Sequence, residues 1–261
     1  MLSRDRIPSR KALTKLICVL DIDETLVHST SDMEAWKRLR IFSDPKKMDL
    51  RSRHYVLDLE SERGSGIGVN MWGTKRPYLE EFIRFCFEYF KIVIVWSAGV
   101  YDYVHAVVEE IFKDSQEPHA ILTRGNCTGN TYKLEKPFWK MIKDIPGLEE
   151  YIEYDRGMHT NNIKNVFIVD DRRSSFAQNP DNGICIPVYE PIATEDGLRR
   201  DDVCLLQLMK WLMLPEVMNS QDVRTLDKNI IFGVHVDIPM RTGHSIKVDY
   251  SNLLHHSVKV S

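Results

Sequence analysis

The sequence predicts an α/β fold in which helices flank both faces of a doubly wound parallel sheet. Three continuous apolar runs, at 13–21, 91–97 and 163–171, each end in polar or acidic residues. Such runs are typical of strands that are buried on both faces of a parallel sheet. Segments with helical spacing of apolar residues lie around and between them. This alternation indicates βαβ units, whose ligands bind at the carboxyl ends of the strands.

Four segments have the apolar spacing of helices that bury one face. In the first, Pro77 occupies an early position and two glutamates follow, as is common in the first turn of a helix. Pro215 is expected to end the last one. The predicted helices span 76–90, 101–112, 137–145 and 203–214.

A β-hairpin insert is predicted at about 53–73, between the first strand and the first long helix. Tyr55, Leu57 and Leu59 alternate with polar residues, and the glycines at 64 and 66 suit the turn.

The chain length fits one large domain with a smaller appendage. It has 261 residues, against a domain size of ~150 residues. We assign 13–215 to the α/β domain, 1–12 to an N-terminal extension, and 216–261 to a C-terminal extension of unassigned role. The net charge of −3 and the 28% charged residues exclude a histone-like nucleic-acid coat and a wholly disordered chain.

Cysteine usage and hydropathy predict a soluble intracellular protein of the nucleus or cytoplasm. The five cysteines are an odd number without a C-x-x-C pair, which favours reduced thiols. The basic N-terminal segment lacks the apolar core of a signal peptide, and no apolar run approaches the ~20 residues that cross a bilayer. We expect no membrane partner and a monomer or weak oligomer.

The strongest chemical signal is the pentapeptide DIDET at residues 21–25. Asp21 and Asp23 project to the same side if the chain is extended, and Thr25 begins the following turn. Neighbouring carboxylates repel each other, so the pair needs a cation or a shared proton. Mg²⁺, which binds one or two carboxylates together with phosphate oxygens, fits this need. An acidic surface turn is the structural alternative.

Further polar residues follow the other predicted strands. Asp170 and Asp171 form a second acid pair, and Ser97 ends the run before them. Lys136 or Lys133 precedes a predicted helix, where a lysine could neutralise a phosphate or a nucleophile. Because parallel strands share one carboxyl edge, these groups are expected to surround one site. Taken singly, each is also consistent with an exposed turn.

The order of these features resembles the haloacid dehalogenase superfamily of phosphotransferases over roughly 13–190. DIDETLVHS at 21–29 is similar to the signature of the RNA polymerase II C-terminal-domain phosphatases, also called NLI-interacting-factor-like phosphatases. The segments at 75–82 (KRPYLEEF), 123–126 (TRGN) and 170–190 resemble other motifs of that family. The resemblance implies a haloacid-dehalogenase-like, Rossmann-type fold with the hairpin insert after the first strand.

The resemblance also implies a Mg²⁺-dependent phosphatase that hydrolyses phosphoserine or phosphothreonine in a protein through an aspartyl-phosphate. Asp21 would be the nucleophile, and Asp23 the general acid and base. Thr25 and Ser97 would bind phosphate oxygens or the nucleophile. The implied metal site comprises Asp21, Asp23 through its backbone carbonyl, Asp171 as a direct ligand, and Asp170 nearby.

The family lysine is followed by apolar residues two and five positions later. This spacing favours Lys136 over Lys133, which has Glu135 at the first of those positions. The nine residues CTGNTYKLE before Lys136 depart from the family pattern and leave the path of this loop undetermined. The DDR triplet that begins at Asp170, where small members often have Asp-Asn, resembles the larger branch of the family.

Substrate binding is assigned to Arg124, Tyr55 and Trp72. The aromatic rings would stack on a proline-containing phosphopeptide, with packing inside the hairpin as the alternative. The planar fork of Arg124 could hold a second phosphate. The stretch 36–53 carries a net charge of +5, which would attract a phosphorylated polymer unless it is an ordinary solvated face.

Two other functions stay open. A 3′-phosphatase acting on nucleic-acid ends belongs to the same superfamily and is compatible with the basic stretch and the DDR triplet. The hairpin and the DETLVHS run favour a protein substrate instead. A non-catalytic phosphopeptide-binding module is disfavoured because Asp21, Asp23, Lys136 and Asp171 are all present.

Overall fold

The computed structural model describes residues 12–60, 68–130, 133–154 and 162–232. The strands in these ranges are β1 (Ile17–Leu20), β2 (Val27–Thr30), β3 (His54–Glu60), β4 (Gly68–Lys75), β5 (Ile92–Trp96), β6 (Ala120–Leu122), β7 (Thr128–Asn130), β8 (Lys133–Glu135), β9 (Val166–Asp170) and β10 (Gly183–Cys185). The α-helices are α1 (Met33–Leu39), α2 (Met48–Arg51), α3 (Leu79–Tyr89), α4 (Tyr101–Phe112), α5 (Phe138–Asp144), α6 (Glu195–Arg199), α7 (Cys204–Leu212) and α8 (Pro215–Met218).

Five parallel strands form the central sheet in the order β10-β9-β1-β5-β6. Leu20 at the end of β1 is in register with Val95 of β5 and Val169 of β9. The three strands therefore end level with one another, and the residues after them meet at one edge. This arrangement confirms the predicted parallel sheet. The outer strands β6 and β10 were not identified from periodicity, because each has three residues.

Helices cover both faces of the sheet. Within β1, Cys18 and Leu20 belong to the core cluster that contains residues of α3, α4 and α7. Ile17 and Val19 belong to a second cluster that contains residues of α5. Because an apolar cluster covers each face of β1, its sequence is an unbroken apolar run. The four predicted helices are confirmed as α3, α4, α5 and α7, and among the described residues no helix is both long and apolar enough to cross a membrane.

The insert after β1 is larger than the predicted hairpin. Strands β2, β4 and β3 form a three-stranded antiparallel sheet with β4 in the middle. The hairpin predicted at 53–73 corresponds to β3 and β4, while its expected turn, with the glycines at 64 and 66, lies outside the described residues. Strand β2 and helices α1 and α2 are short, so they contain too few apolar repeats for their periodicity to be seen.

The two aromatic residues that were expected to contact substrate are buried in this insert. Trp72 is 1% exposed, and its indole N–H donates to the Asp32 carbonyl at 2.8 Å. Tyr55 is 4% exposed. Burial to this extent leaves neither ring a free face on which a peptide could stack. Trp72 packs mainly with residues of α1 and α2, as the alternative predicted, whereas Tyr55 belongs to the core cluster that contains residues of α3 and α4.

Part of the basic stretch 36–53 forms hydrogen bonds within the fold. Lys47, Arg51 and Arg53 are partly buried, and each donates to backbone carbonyls within or next to the insert. Arg53 also donates to the Tyr189 hydroxyl at 2.8 Å. These three cations brace the insert, so the charge of the stretch is only partly available to a phosphorylated polymer.

The residues that follow Pro215 continue the core. Val217, Val223 and Ile231 are buried in the cluster that contains α7. The first part of the C-terminal extension, up to residue 232, therefore packs on the α/β domain, while residues 233–261 lie outside the described ranges.

Arg76, at the end of the insert, joins it to two other segments. Its side chain is buried and donates to the Thr25 carbonyl at 3.0 Å and to the Pro187 carbonyl at 2.8 Å. Two of its nitrogens reach the carboxylate of Asp202, each at 2.9 Å. The guanidinium lies 5.4 Å from the ring centre of Tyr189. Arg76 therefore connects the loop after β1, through the Thr25 carbonyl, to the segments that contain Pro187 and Asp202.

Arg76→Met should lower the free energy of unfolding by about 3 kcal/mol, because it leaves the partners of a buried ion pair uncompensated. Urea denaturation followed by circular dichroism measures this change. Arg84→Met, an exposed position on α3, is the matched control and should stay within about 0.5 kcal/mol of the wild type. An equal loss of unfolding free energy in the two variants would contradict this stabilising role of Arg76.

Candidate active site

The loop after β1 places two carboxylates at the carboxyl edge of the sheet. Asp21 is buried, and its N–H still donates to β9, so it continues the strand. The chain then turns around the Ile22 carbonyl, which accepts several N–H groups of the loop. Glu24 has a left-handed backbone with φ of 55°, a conformation that costs a non-glycine residue roughly 1–2 kcal/mol. Its carbonyl accepts the Tyr189 N–H at 2.7 Å, which holds the turn.

Lys136 lies between the first and the second acid pair. Its side chain is 2% exposed, and its ammonium nitrogen is 2.5 Å from Asp21 Oδ1 and 2.7 Å from Asp170 Oδ2. Lys133, the alternative motif lysine, is exposed and pairs with Glu135 at 3.0 Å. The structure thus brings Lys136, rather than Lys133, to the carboxylates.

Of the extra residues before Lys136, those that the structure describes include the paired antiparallel strands β7 and β8. Gly129 has φ of 100°, and a Cβ atom there would lie 2.1 Å from the Lys133 carbonyl oxygen, so this strand pair requires glycine at this position. Strand β8 ends directly before Lys136, whose N–H donates to the Ser175 carbonyl at 2.6 Å. This bond fixes the backbone of Lys136 at the site, and β7 and β8 give the path of the loop on either side of residues 131–132, which lie outside the described ranges.

Thr25 links the two acid pairs. It is fully buried, its hydroxyl donates to Asp21 Oδ2 at 3.3 Å, and the same hydroxyl oxygen accepts the Asp171 N–H at 3.1 Å. Thr25 therefore contacts the candidate nucleophile, one of its two expected partners.

Three carboxylates are close enough to share a metal ion. Asp21, Asp170 and Asp171 each offer an oxygen within 4.8 Å of the others. In Asp170, one oxygen accepts from Lys136 and the other from the Arg172 N–H at 2.8 Å. Carboxylate oxygens are the donors that hard divalent cations prefer. The donor set fits such an ion.

The electrostatics of the cluster favour the same conclusion. Burial raises the pKa of Asp21 well above its usual value, and Asp170 adds to this, although Lys136 opposes it. Burial and the neighbouring Asp170 also raise the pKa of Asp171 to about 6. Burial disfavours the charge of Lys136, but the carboxylates of Asp21 and Asp170 raise its pKa. Because one ammonium does not balance these acids, a bound dication would stabilise their ionised forms.

Asp23 has a different set of partners. The Ser97 hydroxyl donates to its Oδ2 at 3.2 Å, and the Tyr103 hydroxyl donates to its Oδ1. Ser97 is itself fixed by the Gly99 N–H at 2.9 Å. Burial raises the pKa of Asp23, while both hydroxyl donors oppose the rise. Ser97 thus contacts the candidate acid, whereas a phosphate oxygen or the nucleophile was expected as its partner.

Tyr103 is absent from the residues predicted for the site, although it contacts Asp23. It lies in the first turn of α4, the helix that follows β5. The helical pattern of apolar residues gives no sign of its hydroxyl contact. The signal that could have found it is its position, since the first turn of a helix after a parallel strand lies at the ligand-binding edge.

The site opens into a cleft of about 280 Å³ that both acid pairs and Lys136 line. Arg124, Lys133 and Arg172 are exposed cations on its lining. The side chain of Arg124 donates to the Ala98 carbonyl at 2.8 Å, which holds it beside the site.

A larger groove of about 760 Å³ follows residues 188–202. Its lining includes neither the two acid pairs nor Lys136. The smaller cleft is therefore the candidate active site, because the reactive groups converge there.

Comparisons with known proteins identify the family of this chain. The family model described as NLI interacting factor-like phosphatase matches residues 16–224. A probable C-terminal domain small phosphatase of Dictyostelium discoideum is 27% identical over 207 residues, which cover 79% of this chain and 52% of that protein. CTD nuclear envelope phosphatase 1 of Xenopus laevis is 25% identical over 231 residues, which cover 87% of this chain and 77% of that protein.

Among solved structures, the fission yeast RNA polymerase II CTD phosphatase Fcp1, bound to beryllium fluoride, is similar with a TM-score of 0.49 and 19% identity. That match covers 67% of this chain and 42% of the other. The chain thus spans about half the length of the Dictyostelium relative and less than half of the fission yeast chain. The family match includes β1, the insert and both acid pairs, and the chain therefore belongs to the NLI interacting factor-like phosphatase family.

Proposed function

We propose that the protein is a Mg²⁺-dependent phosphatase that hydrolyses phosphoserine or phosphothreonine in a protein substrate. The observation that carries this proposal is the buried carboxylate of Asp21 in the cleft, bonded to Lys136 and Thr25 and close to Asp170 and Asp171. A phosphate monoester in this cleft meets a nucleophile, a cation and a metal-binding donor set in one place. These are the parts that phosphoryl transfer needs.

In the proposed reaction, a carboxylate oxygen of Asp21 attacks phosphorus and forms an aspartyl-phosphate. The bond between phosphorus and the serine or threonine oxygen breaks, and that oxygen takes a proton from Asp23. A water molecule then attacks the phosphorus of the aspartyl-phosphate and gives a proton to Asp23. Phosphate leaves, and the carboxylate of Asp21 is restored.

The residues that would hold Mg²⁺ are Asp21, Asp171 and the backbone carbonyl of Asp23, with Asp170 supporting them. When bound, the ion supplies charge that neutralises the phosphate oxygens. Lys136 holds Asp21 and Asp170 in place at the ends of β1 and β9, and Thr25 orients Asp21 toward the second acid pair.

We infer a protein substrate in preference to a nucleic-acid end. The relatives carry the names of C-terminal-domain phosphatases, and three cations of the basic stretch are bonded inside the fold. Arg124, Lys133 and Arg172 would contact acidic groups that flank the phosphate. The nuclear or cytoplasmic location and the monomeric or weakly oligomeric state stay predictions.

Asp21→Asn should lower the hydrolysis of p-nitrophenyl phosphate in Mg²⁺ by roughly 10³-fold or more, because an amide cannot act as the nucleophile. EDTA should inactivate the wild type, and added Mg²⁺ should restore it. The exposed Asp114→Asn variant is the control and should keep the wild-type rate. Wild-type turnover by Asp21→Asn, with its fold verified by circular dichroism, would falsify the aspartyl-phosphate mechanism.

Phosphopeptides that contain a single phosphoserine or phosphothreonine should be hydrolysed faster than a 3′-phosphorylated oligonucleotide. Phosphate release from both substrate classes, assayed in Mg²⁺ at equal concentration, measures the preference. Faster release from the oligonucleotide would support the nucleic-acid 3′-phosphatase instead. Binding of phosphopeptides without any release of phosphate would support the non-catalytic module.

Lys136→Ala should reduce kcat by roughly 10²-fold or more, because the buried carboxylates lose the cation that orients them and stabilises transferred charge. Lys133→Ala removes an exposed side chain at the rim of the cleft, so its main effect should be a higher KM for acidic phosphopeptides. Steady-state kinetics on the same substrate separate the two effects. The opposite ranking of kcat would assign the motif lysine to position 133.

A further inference from the structure

Three hydroxyl groups form a chain that runs from the insert to Asp23. Tyr55 Oη lies 2.8 Å from Ser29 Oγ, Ser29 Oγ lies 2.9 Å from Tyr103 Oη, and Tyr103 Oη bonds to Asp23 Oδ1. Each hydroxyl has one proton to donate, and an ionised carboxylate only accepts. The Tyr103 hydroxyl donates to Asp23, and Ser29 Oγ lies within hydrogen-bond distance of both tyrosine hydroxyls.

The sheet of the insert is shaped to hold the far end of this chain. Tyr55 on β3 and Ser29 on β2 are separated by β4, and both are in register with Gly73. A Cβ atom at Gly73 would lie 2.3 Å from Cζ of Tyr55, well inside normal contact. The glycine thus leaves the space in which the Tyr55 ring crosses β4 and reaches Ser29.

The two phenols stay protonated in this environment. A phenol is protonated at neutral pH, so both tyrosines can act as hydrogen-bond donors. Successive hydrogen bonds polarise one another and strengthen the last bond of a chain. Removal of a distant hydroxyl should therefore weaken the bond between Tyr103 and Asp23.

We propose that Tyr103, supported by Ser29 and Tyr55, is a positioning residue that fixes the Asp23 carboxyl group for proton transfer to the leaving oxygen. The inference rests on the proposed function. Tyr103 holds Oδ1 of Asp23, while Oδ2, which also accepts from the Ser97 hydroxyl, carries the transferred proton. That proton moves from Oδ2 to the leaving oxygen as the bond between this oxygen and phosphorus breaks.

Substrates differ in their need for this proton. A serine alkoxide is a poor leaving group and has to be protonated as it departs, whereas p-nitrophenolate is a good leaving group that departs with little assistance. The loss of a group that positions the acid should therefore harm phosphoserine hydrolysis more. A group that merely supports the fold would affect both substrates to the same extent.

The test compares kcat/KM for a phosphoserine peptide and for p-nitrophenyl phosphate, because this parameter covers the steps up to release of the leaving group. Tyr103→Phe should lower the ratio of the two values by roughly 10-fold, a part of the roughly 10²- to 10⁴-fold that acid–base catalysis supplies. Tyr55→Phe and Ser29→Ala should lower the ratio in the same direction by smaller factors.

Tyr89→Phe is the matched control. Tyr89 is also buried, and its hydroxyl donates to the Leu212 carbonyl rather than to the chain that ends at Asp23. This variant should lower thermal stability while the ratio stays at the wild-type value. A change of ratio in Tyr89→Phe equal to that in Tyr103→Phe would overturn the inference.

The remaining outcomes separate the inference from the proposed function. An active wild type with an unchanged ratio in Tyr103→Phe would overturn the positioning role alone. A wild type that hydrolyses neither substrate in Mg²⁺ would overturn the proposed function and, with it, this inference.

Discussion

The ammonium group of Lys136 sits between carboxylates at the ends of two neighbouring strands, β1 and β9. Removing such charges from water costs several kcal/mol for each ion, and a well-packed apolar core would be at least as stable. The arrangement is therefore poorly explained by stability. The proposed function explains it, because a buried carboxylate with a fixed cation beside it can act on a phosphate without reorganising its surroundings. The level ends of β1 and β9 place Asp21 and Asp170 side by side, and the bond between the Lys136 N–H and the Ser175 carbonyl holds the lysine next to them.

The sequence predicts the central strands of the sheet, because burial on both faces requires apolar residues at every position. β1, β5 and β9 are unbroken apolar runs because core clusters lie on each side of them. Since parallel strands end at a common edge, the acids that follow them could be assigned to one site before any coordinates were known. The choice of Lys136 over Lys133 came from the resemblance, since the family lysine is followed by apolar residues two and five positions later, and the positions of these two side chains agree with it.

The parts that the sequence does not predict depend on contacts between distant segments. Tyr103 and Ser29 meet Asp23 through hydroxyl groups, which leave no trace in an apolar repeat. The aromatic rings of Tyr55 and Trp72 have the same chemical character on a surface and in a core, so the sequence could not distinguish the two. Trp72 packs with residues of the short helices α1 and α2, and Tyr55 contacts Ser29 of the four-residue strand β2, and elements this short have no periodic signal.

Asp21 and Asp23 lie two residues apart in one loop, yet the groups that hold them differ in charge. Asp21 is bonded to a cation and lies among acids that favour a metal, whereas Asp23 is bonded to neutral hydroxyl groups. Different environments allow two carboxyl groups to take different roles, one as a nucleophile and one as a proton donor. The cation comes from the segment before α5, while the hydroxyl groups bonded to Asp23 come from Ser97, directly after β5, and from Tyr103 of α4, which in turn contacts the insert. Because the insert supplies Ser29 and Tyr55, the hydroxyl groups farthest from Asp23 in the hydrogen-bonded chain, it contributes to the environment of this acid as well as to the packing of the domain.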